Sequence, residues 1–513
     1  MADDRFFGER PMNAPPRRFL VIGLDGGTFD LLDPLMAAGD LPFLRSLSEG
    51  GLRAPLRSVF PPKTIPAWYS FATGLDPGGL GIFGFTEPDG GPGRSRLVQT
   101  FRPAEGVWDL LSRDGVRVGV LDFPLRAGYP LHGFVIPGML SERPSTYPVD
   151  LLERLEAHLG EPYSTELPPY HSHDRAAWMK GATHGVAQRG RAAEFLCREY
   201  RPEFLFVLFR ETDRVEHQHW AELEVPPDRI PADLRTFWRA VDAACRQIDG
   251  AFRASGGPAV TFVISDHGHG AARSDFFTNR WLAERGYLVF KNGGTGWRRR
   301  AVSRLLLAAD RIGPVRSILR PVVDRLHGGA ARARMSRLVA GDASFESMAD
   351  RIDWHRTVAF SHPVPEGIYL NRYNPDLTPE RGRAIVASIR EQLVAYPDAR
   401  VEVFSPSEIY RGDNLAHAPA LLLRVNGMAS ELRMDFSYPR VMLRERPGFF
   451  YGTGVHRMDG ILLAAGDGVK RQRLDEPFSL LDIAPTVLEG MGTAIPGPLA
   501  GASFLDRLGP RPA

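Results

Sequence analysis

Cysteine is nearly missing from this chain of 513 residues: there are two, Cys197 and Cys245. That excludes a disulfide framework and a cysteine-based zinc site, so any metal must be held by His, Asp, Glu or hydroxyl groups. No apolar run is long enough to span a bilayer. The N-terminal stretch MADDRFFGERPMNAPPRR carries acids and prolines and no apolar centre, which does not suit a signal peptide. An intracellular, cytoplasmic protein is the expectation. Charge of one sign is also lacking: the net charge of +2 gives no reason to expect a nucleic-acid polymer as partner. There is no internal repeat and no low-complexity tract. What is present is an ordinary globular balance, 43% hydrophobic and 24% charged, which excludes disorder as the main state.

Short apolar runs alternate with helical patterns, the signature of an α/β fold with a parallel sheet. Several runs end in polar residues that are poor core material. Val260 to Ile264 ends in Ser265, Asp266, His267 and Gly268. Phe19 to Leu24 ends in Asp25, Gly26 and Gly27, and Phe204 to Phe209 is followed by ETDRVEHQHW. In that last segment Asp213 and His217 stand four apart, so one helical turn puts them on one face. His219 would point elsewhere, and Asp122, near the end of the run Val116 to Phe123, reads as a turn residue. Thr64, in VFPPKTIPAW, precedes a helix starting near Pro66; a hydroxyl there either caps the helix or serves as a nucleophile beside a metal. His456 lies in a glycine-rich stretch, read as a loop, before the apolar run Ile461 to Ala465.

Each position has an ordinary structural use, and only the set points to chemistry. Asp25, Asp213, Asp266, His217, His267 and His456 form an even set for two divalent ions. Carboxylate and imidazole suit Zn²⁺, with Mn²⁺ as the alternative. Two such ions can clamp the attacking and leaving oxygens of a phosphoryl transfer.

The motifs VIGLDGG (21–27), PPKTIPAW (61–68), ETDRVEH (211–217), SDHG (265–268), GVHRMDG (454–460) and DIAPTVL (482–488) together resemble the alkaline phosphatase superfamily. Within it they are similar to the type I phosphodiesterase/nucleotide pyrophosphatase branch and its bacterial group of phosphohydrolases or phosphomutases. The resemblance implies a three-layer αβα sandwich with a mostly parallel central sheet. It also implies one ion on Asp213, His217 and His456, and another on Asp25, Asp266, His267 and the Thr64 hydroxyl. Thr64 would form a covalent intermediate during cleavage of a phosphodiester, a pyrophosphate or a phosphomonoester in a small substrate. Lys63 and Asn279 are candidate phosphate contacts. Transfer to an acceptor hydroxyl is the alternative reaction, and a non-catalytic protein binding metal or a lipid surface is the alternative of another class. No counterpart of the superfamily's phosphate-binding arginine or magnesium site is visible. Leu80 stands where relatives commonly have a histidine, and SDHGHG carries an additional His269, either near the metals or facing solvent.

The expected organisation is a leader over 1–17, a core over 18–290, a basic helical insert over 291–345, the second part of the core over 346–505, and a tail over 506–513. Residues 298–337 hold eleven arginines against Asp310 and Asp324, a local excess of nine positive charges. Such a segment suits an anionic membrane surface, a partner, or a cap with a solvated arginine face.

Overall fold

The computed structural model describes residues 17–291 and 345–509, apart from 92, 99–103, 126, 139–142, 169, 171–173, 437, 445, 447–451 and 498. The leader and the arginine-rich segment 298–337 lie outside the described residues.

Three apolar runs become adjacent parallel strands: β1 (Arg18–Leu24), with β5 (Phe204–Phe209) on one side and β6 (Ala259–Ile264) on the other. All three are buried along their whole length, as strands covered on both faces must be. The sheet widens through β3 (Val118–Pro124) and β4 (Gly133–Gly138) on the β5 side. On the β6 side come β9 (Asp459–Gly466), β2 (Leu52–Arg57) and β10 (Gln472–Arg473). Among the described residues, only β9 runs against its neighbours in this mostly parallel sheet.

Alternate residues of β1 enter two different cores. Phe19 and Val21 pack with helices α3 (Thr64–Thr73) and α7 (Ile483–Met491). Leu20 and Ile22 pack with α4 (Arg175–Tyr200) and α6 (Ala232–Ala254). This alternation produces the three-layer αβα sandwich. The period-2 pattern is invisible in the sequence because both faces are apolar.

A third core lies apart. It surrounds a four-stranded antiparallel sheet of Ala359–Phe360, Gly367–Leu370, Leu421–Val425 and Val401–Phe404. It reaches the α3 end of the sandwich through Phe60 and Phe83.

Two local expectations are corrected. The stretch around His456 is not a loop: β8 (Gly454–Arg457) pairs antiparallel with β7 (Gly268–Ala271). Asp122 is not a turn residue. It sits fully buried in β3 with φ +63°, where the pairing with β4 shifts register. Among the described residues no helix is long and apolar enough to cross a membrane.

Candidate metal centre

The sheet topology brings the polar strand ends together. Gly23 of β1 is level with Leu208 of β5 and Ile264 of β6, so Asp25, Asp266 and the start of helix α5 (Glu211–Leu223) share one edge. Ligands collect at this carboxyl edge in open α/β sheets. Asp213 and His217 lie one turn apart on α5. The β7–β8 ribbon then brings His456 directly opposite His269, on the same side of the ribbon.

The side chains form two groups whose ligand atoms lie within 4.8 Å of one another: Asp213 with His267, His269 and His456, and Asp25 with Asp266 and His267. His217 joins the first, its Nε2 2.8 Å from His456 Nε2 and 3.3 Å from Asp213 Oδ1. His456 Nε2 is 3.2 Å from the same oxygen. In the second group, His267 Nε2 lies 3.2 Å from Asp266 Oδ2 and 3.5 Å from Asp25 Oδ1. The edge of a tetrahedron with bonds of about 2.0–2.1 Å is about 3.3 Å. The His267 and His456 rings stack at 3.7 Å and join the two groups.

Backbone and side-chain partners orient these side chains and leave one atom of each turned toward the others. His217 Nδ1 donates to Gly454 O, His267 Nδ1 to Gly268 O and His456 Nδ1 to Pro62 O. A carbonyl can only accept, so each Nε2 carries a lone pair toward the centre. Asp266 Oδ1 accepts from Gly26 N and Asp25 Oδ2 from Trp68 Nε1. Trp68 reaches Asp25 because residue 23 is glycine: a Cβ there would stand 2.5 Å from the indole. Asp25 Oδ1, Asp213 Oδ1, Asp266 Oδ2 and His267 Nε2 are buried with no hydrogen-bond partner among the described residues. Buried polar atoms are normally bonded, and orphans converging at ligand spacing suit divalent cations.

The electrostatics agree. Burial, then Asp213, pushes the Asp25 carboxyl well above the usual aspartate range; burial, then Asp25 and Asp213, does the same to Asp266. Burial and His456 hold His267 well below the usual histidine range. Burial alone would raise Asp213, but His217, His456 and His269 draw it well below. Positive charge placed among these groups favours ionised carboxylates and neutral imidazoles, the ligand forms.

Thr64 is the first residue of α3 and is buried. Its segment touches the centre on both sides, through Pro62 to His456 and through Trp68 to Asp25. Lys63 pairs with Glu366 of the third core at 2.8 Å. Burial would lower the Lys63 ammonium, but Glu366 raises it. Asn279 spends its amide on Ser361 O, Met434 O and Ser361 N, which leaves no free donor for a phosphate. His219 turns away to Glu222 at 2.9 Å. His269 does not face solvent: it is fully buried beside Asp213, together with Glu216, which sequence reasoning passed over. The only signal for Glu216 was its place three residues after Asp213.

The sequence model of the type I phosphodiesterase / nucleotide pyrophosphatase family matches residues 19–347, well over half of the chain. A separate local likeness is to the large ribosomal subunit protein uL6 of Xylella fastidiosa (strain M12). It is 30% identical over 112 residues, 19% of this chain and 61% of that protein.

Proposed function

The chain belongs to the type I phosphodiesterase / nucleotide pyrophosphatase family, and from that premise we propose that it is a two-metal phosphohydrolase acting on phosphodiester or pyrophosphate bonds of small substrates, with Thr64 as nucleophile. One observation carries the reading: orphaned carboxylate and imidazole atoms converge in two groups, at ligand spacing, beside a helix that begins with a hydroxyl.

In this reading Asp213, His217 and His456 hold one divalent cation, and Asp25, Asp266, His267 and Thr64 hold the other. Zn²⁺ is the ion the donor set suits best, with Mn²⁺ as the alternative. Bound there, the cations would supply positive charge that stabilises the oxygens around phosphorus and favours loss of the Thr64 proton. Thr64 Oγ1 attacks phosphorus and gives up its proton to solvent water. A P–O bond forms to threonine, the bond to the leaving alcohol or phosphate breaks, and the leaving oxygen takes a proton from solvent. Water then attacks the threonine-bound phosphoryl group, the bond between phosphorus and Thr64 Oγ1 breaks, the phosphate product leaves and the hydroxyl regains its proton. Thr64 stands at the N-terminus of α3, where the helix dipole favours negative charge. Lys63, held by Glu366, contributes a cation beside the nucleophile. The resting ligands keep their aim through the backbone carbonyls of Pro62, Gly268 and Gly454, so little reorganisation is needed on binding.

Thr64→Ala is expected to lower turnover of a chromogenic phosphodiester by at least about 10³-fold while metal content stays unchanged. Full activity in that variant would remove Thr64 from the reaction. A panel of monoesters, diesters and nucleotide pyrophosphates, run with and without an alcohol acceptor, separates hydrolysis from transfer.

A further inference from the structure

Helices α4 and α6 cross closely at Gly190, where a Cβ would stand 3.3 Å from Ala244 Cβ and 2.7 Å from Gln247 Oε1. Both helices then run on to the amino ends of β5 and β6, away from the metal centre. Between their last turns lies a cavity of about 800 Å³. Small-molecule sites measure roughly 300–1,000 Å³. The length of β1, about 20 Å, separates this end of the sheet from Asp25.

The sequence leaves this space open. Ala243, Gly250, Ala251 and Ala254 of α6 line it, and α4 contributes the buried Cys197. A Cβ on Gly250 would meet nothing within 4 Å. Larger side chains at these positions would fill the cavity.

Its rim is cationic. Three arginines, Arg198, Arg201 and Arg246, line it against one acid, Glu194. Glu194 is already engaged, by Arg198 and by Gln247 Nε2 at 2.6 Å. Arg201 and Arg246 are exposed and form no ion pair among the described residues. Asp242, one turn before Arg246, spends its two oxygens on Phe43 N and Leu44 N. Cations often sit at helix C-termini to answer the last carbonyls. Here the buried Arg18 does that work. It donates to Phe252 O at 2.8 Å, to Ser255 Oγ at 2.6 Å, to Gly256 O, and to Pro202 O just past α4 at 3.0 Å. The two exposed guanidiniums therefore keep charge to spare beside an open cavity, and their planar forks match a phosphate group.

We propose that this cavity binds a small organic phosphate, with Arg201 and Arg246 on the phosphate group and the alanine-lined wall against the organic part. The site is separate from the metal centre and does not depend on the two-ion reading. The probe is phenylphosphonate, whose C–P bond is not an ester, and its bound equivalents are counted by equilibrium dialysis on the full-length protein. The double variant Arg201→Gln/Arg246→Gln is expected to bind one equivalent fewer than wild type, with unchanged circular dichroism. Gly250→Trp, which fills the cavity without changing charge, should lose the same equivalent. Equal counts in wild type and the double variant would overturn the site. A loss in the double variant alone would assign binding to surface charge and overturn the cavity. Inorganic phosphate, run in parallel, is expected to bind this position at least about tenfold more weakly; equal affinity would overturn the organic ligand. If the double variant fails to fold, Gly250→Trp decides by itself.

Discussion

A buried carboxylate is held by whatever sits within a few ångströms, and Asp275 shows how far this can move its titration. It lies in the strand Ser274–Phe277, fully buried, with Arg446 Nε 2.9 Å from its carboxylate. Burial outweighs the guanidinium and pushes its carboxyl up to about 7. A carboxyl whose folded value lies above its ordinary 3.8 binds protons more tightly in the native state. Its contribution to stability is therefore full below that ordinary value and is lost as pH rises toward and through about 7. Denaturation midpoints measured from pH 4 to 8 should show wild type losing stability relative to Asp275→Asn across this range. Parallel curves would exclude Asp275 as the source. Asn279 teaches the complementary lesson: a residue type suited to binding phosphate is here consumed by three backbone groups.

At the scale of elements, α5 carries three of the polar residues at the centre, and its first turn is clamped from behind. Glu211, its first residue, accepts two hydrogen bonds from Arg189 of α4 at 2.8 and 2.9 Å. Arg189 also bonds Asp122, which takes a further hydrogen bond from Tyr163 at 3.0 Å. Thr212 Oγ1 donates to Asp25 O at 2.6 Å and ties α5 to the end of β1. The strained φ of Asp122 directs its carboxylate into this network. Replacing Arg189 with Met keeps the volume but leaves two buried carboxylates without their cation. That should cost about 3–5 kcal/mol in chemical denaturation. The same variant should bind metal more weakly, since Asp213 and His217 follow Glu211 by two and six positions. Wild-type stability in Arg189→Met would show that the network does not hold the helix.

For the whole molecule, the centre is a junction. Asp25, Asp213, Asp266 and His456 are spread over a span of more than four hundred positions in the chain, and the sandwich closes around them. In the two-ion reading, cations shared out among these residues stabilise only the folded state. Free metal at about 1,000 times its dissociation constant would add about 4 kcal/mol. Chelation should therefore lower the thermal midpoint, and reloading should restore it. A midpoint indifferent to chelator would argue against bound cations. The third core meets the sandwich at Lys63 and Glu366. Glu366→Gln should thus alter KM for a phosphodiester more than it alters the thermal midpoint.

The amino-acid order by itself determined the α/β class and most of its elements, because long apolar runs and helical periodicity depend on near neighbours. Leu421–Val425 and Val401–Phe404 were readable strands for that reason. It also marked Asp25, Asp213, His217, Asp266, His267 and His456, since polar groups at the ends of buried strands stand out locally. Only the tertiary structure decided which of them meet. The β7–β8 ribbon turned an apparent loop into a strand and set His269 opposite His456. The burial of Glu216, the working pair of Lys63 and the saturation of Asn279 were likewise settled there. Each depends on partners far away in sequence, and a linear pattern has no term for a neighbour that arrives from across the sheet.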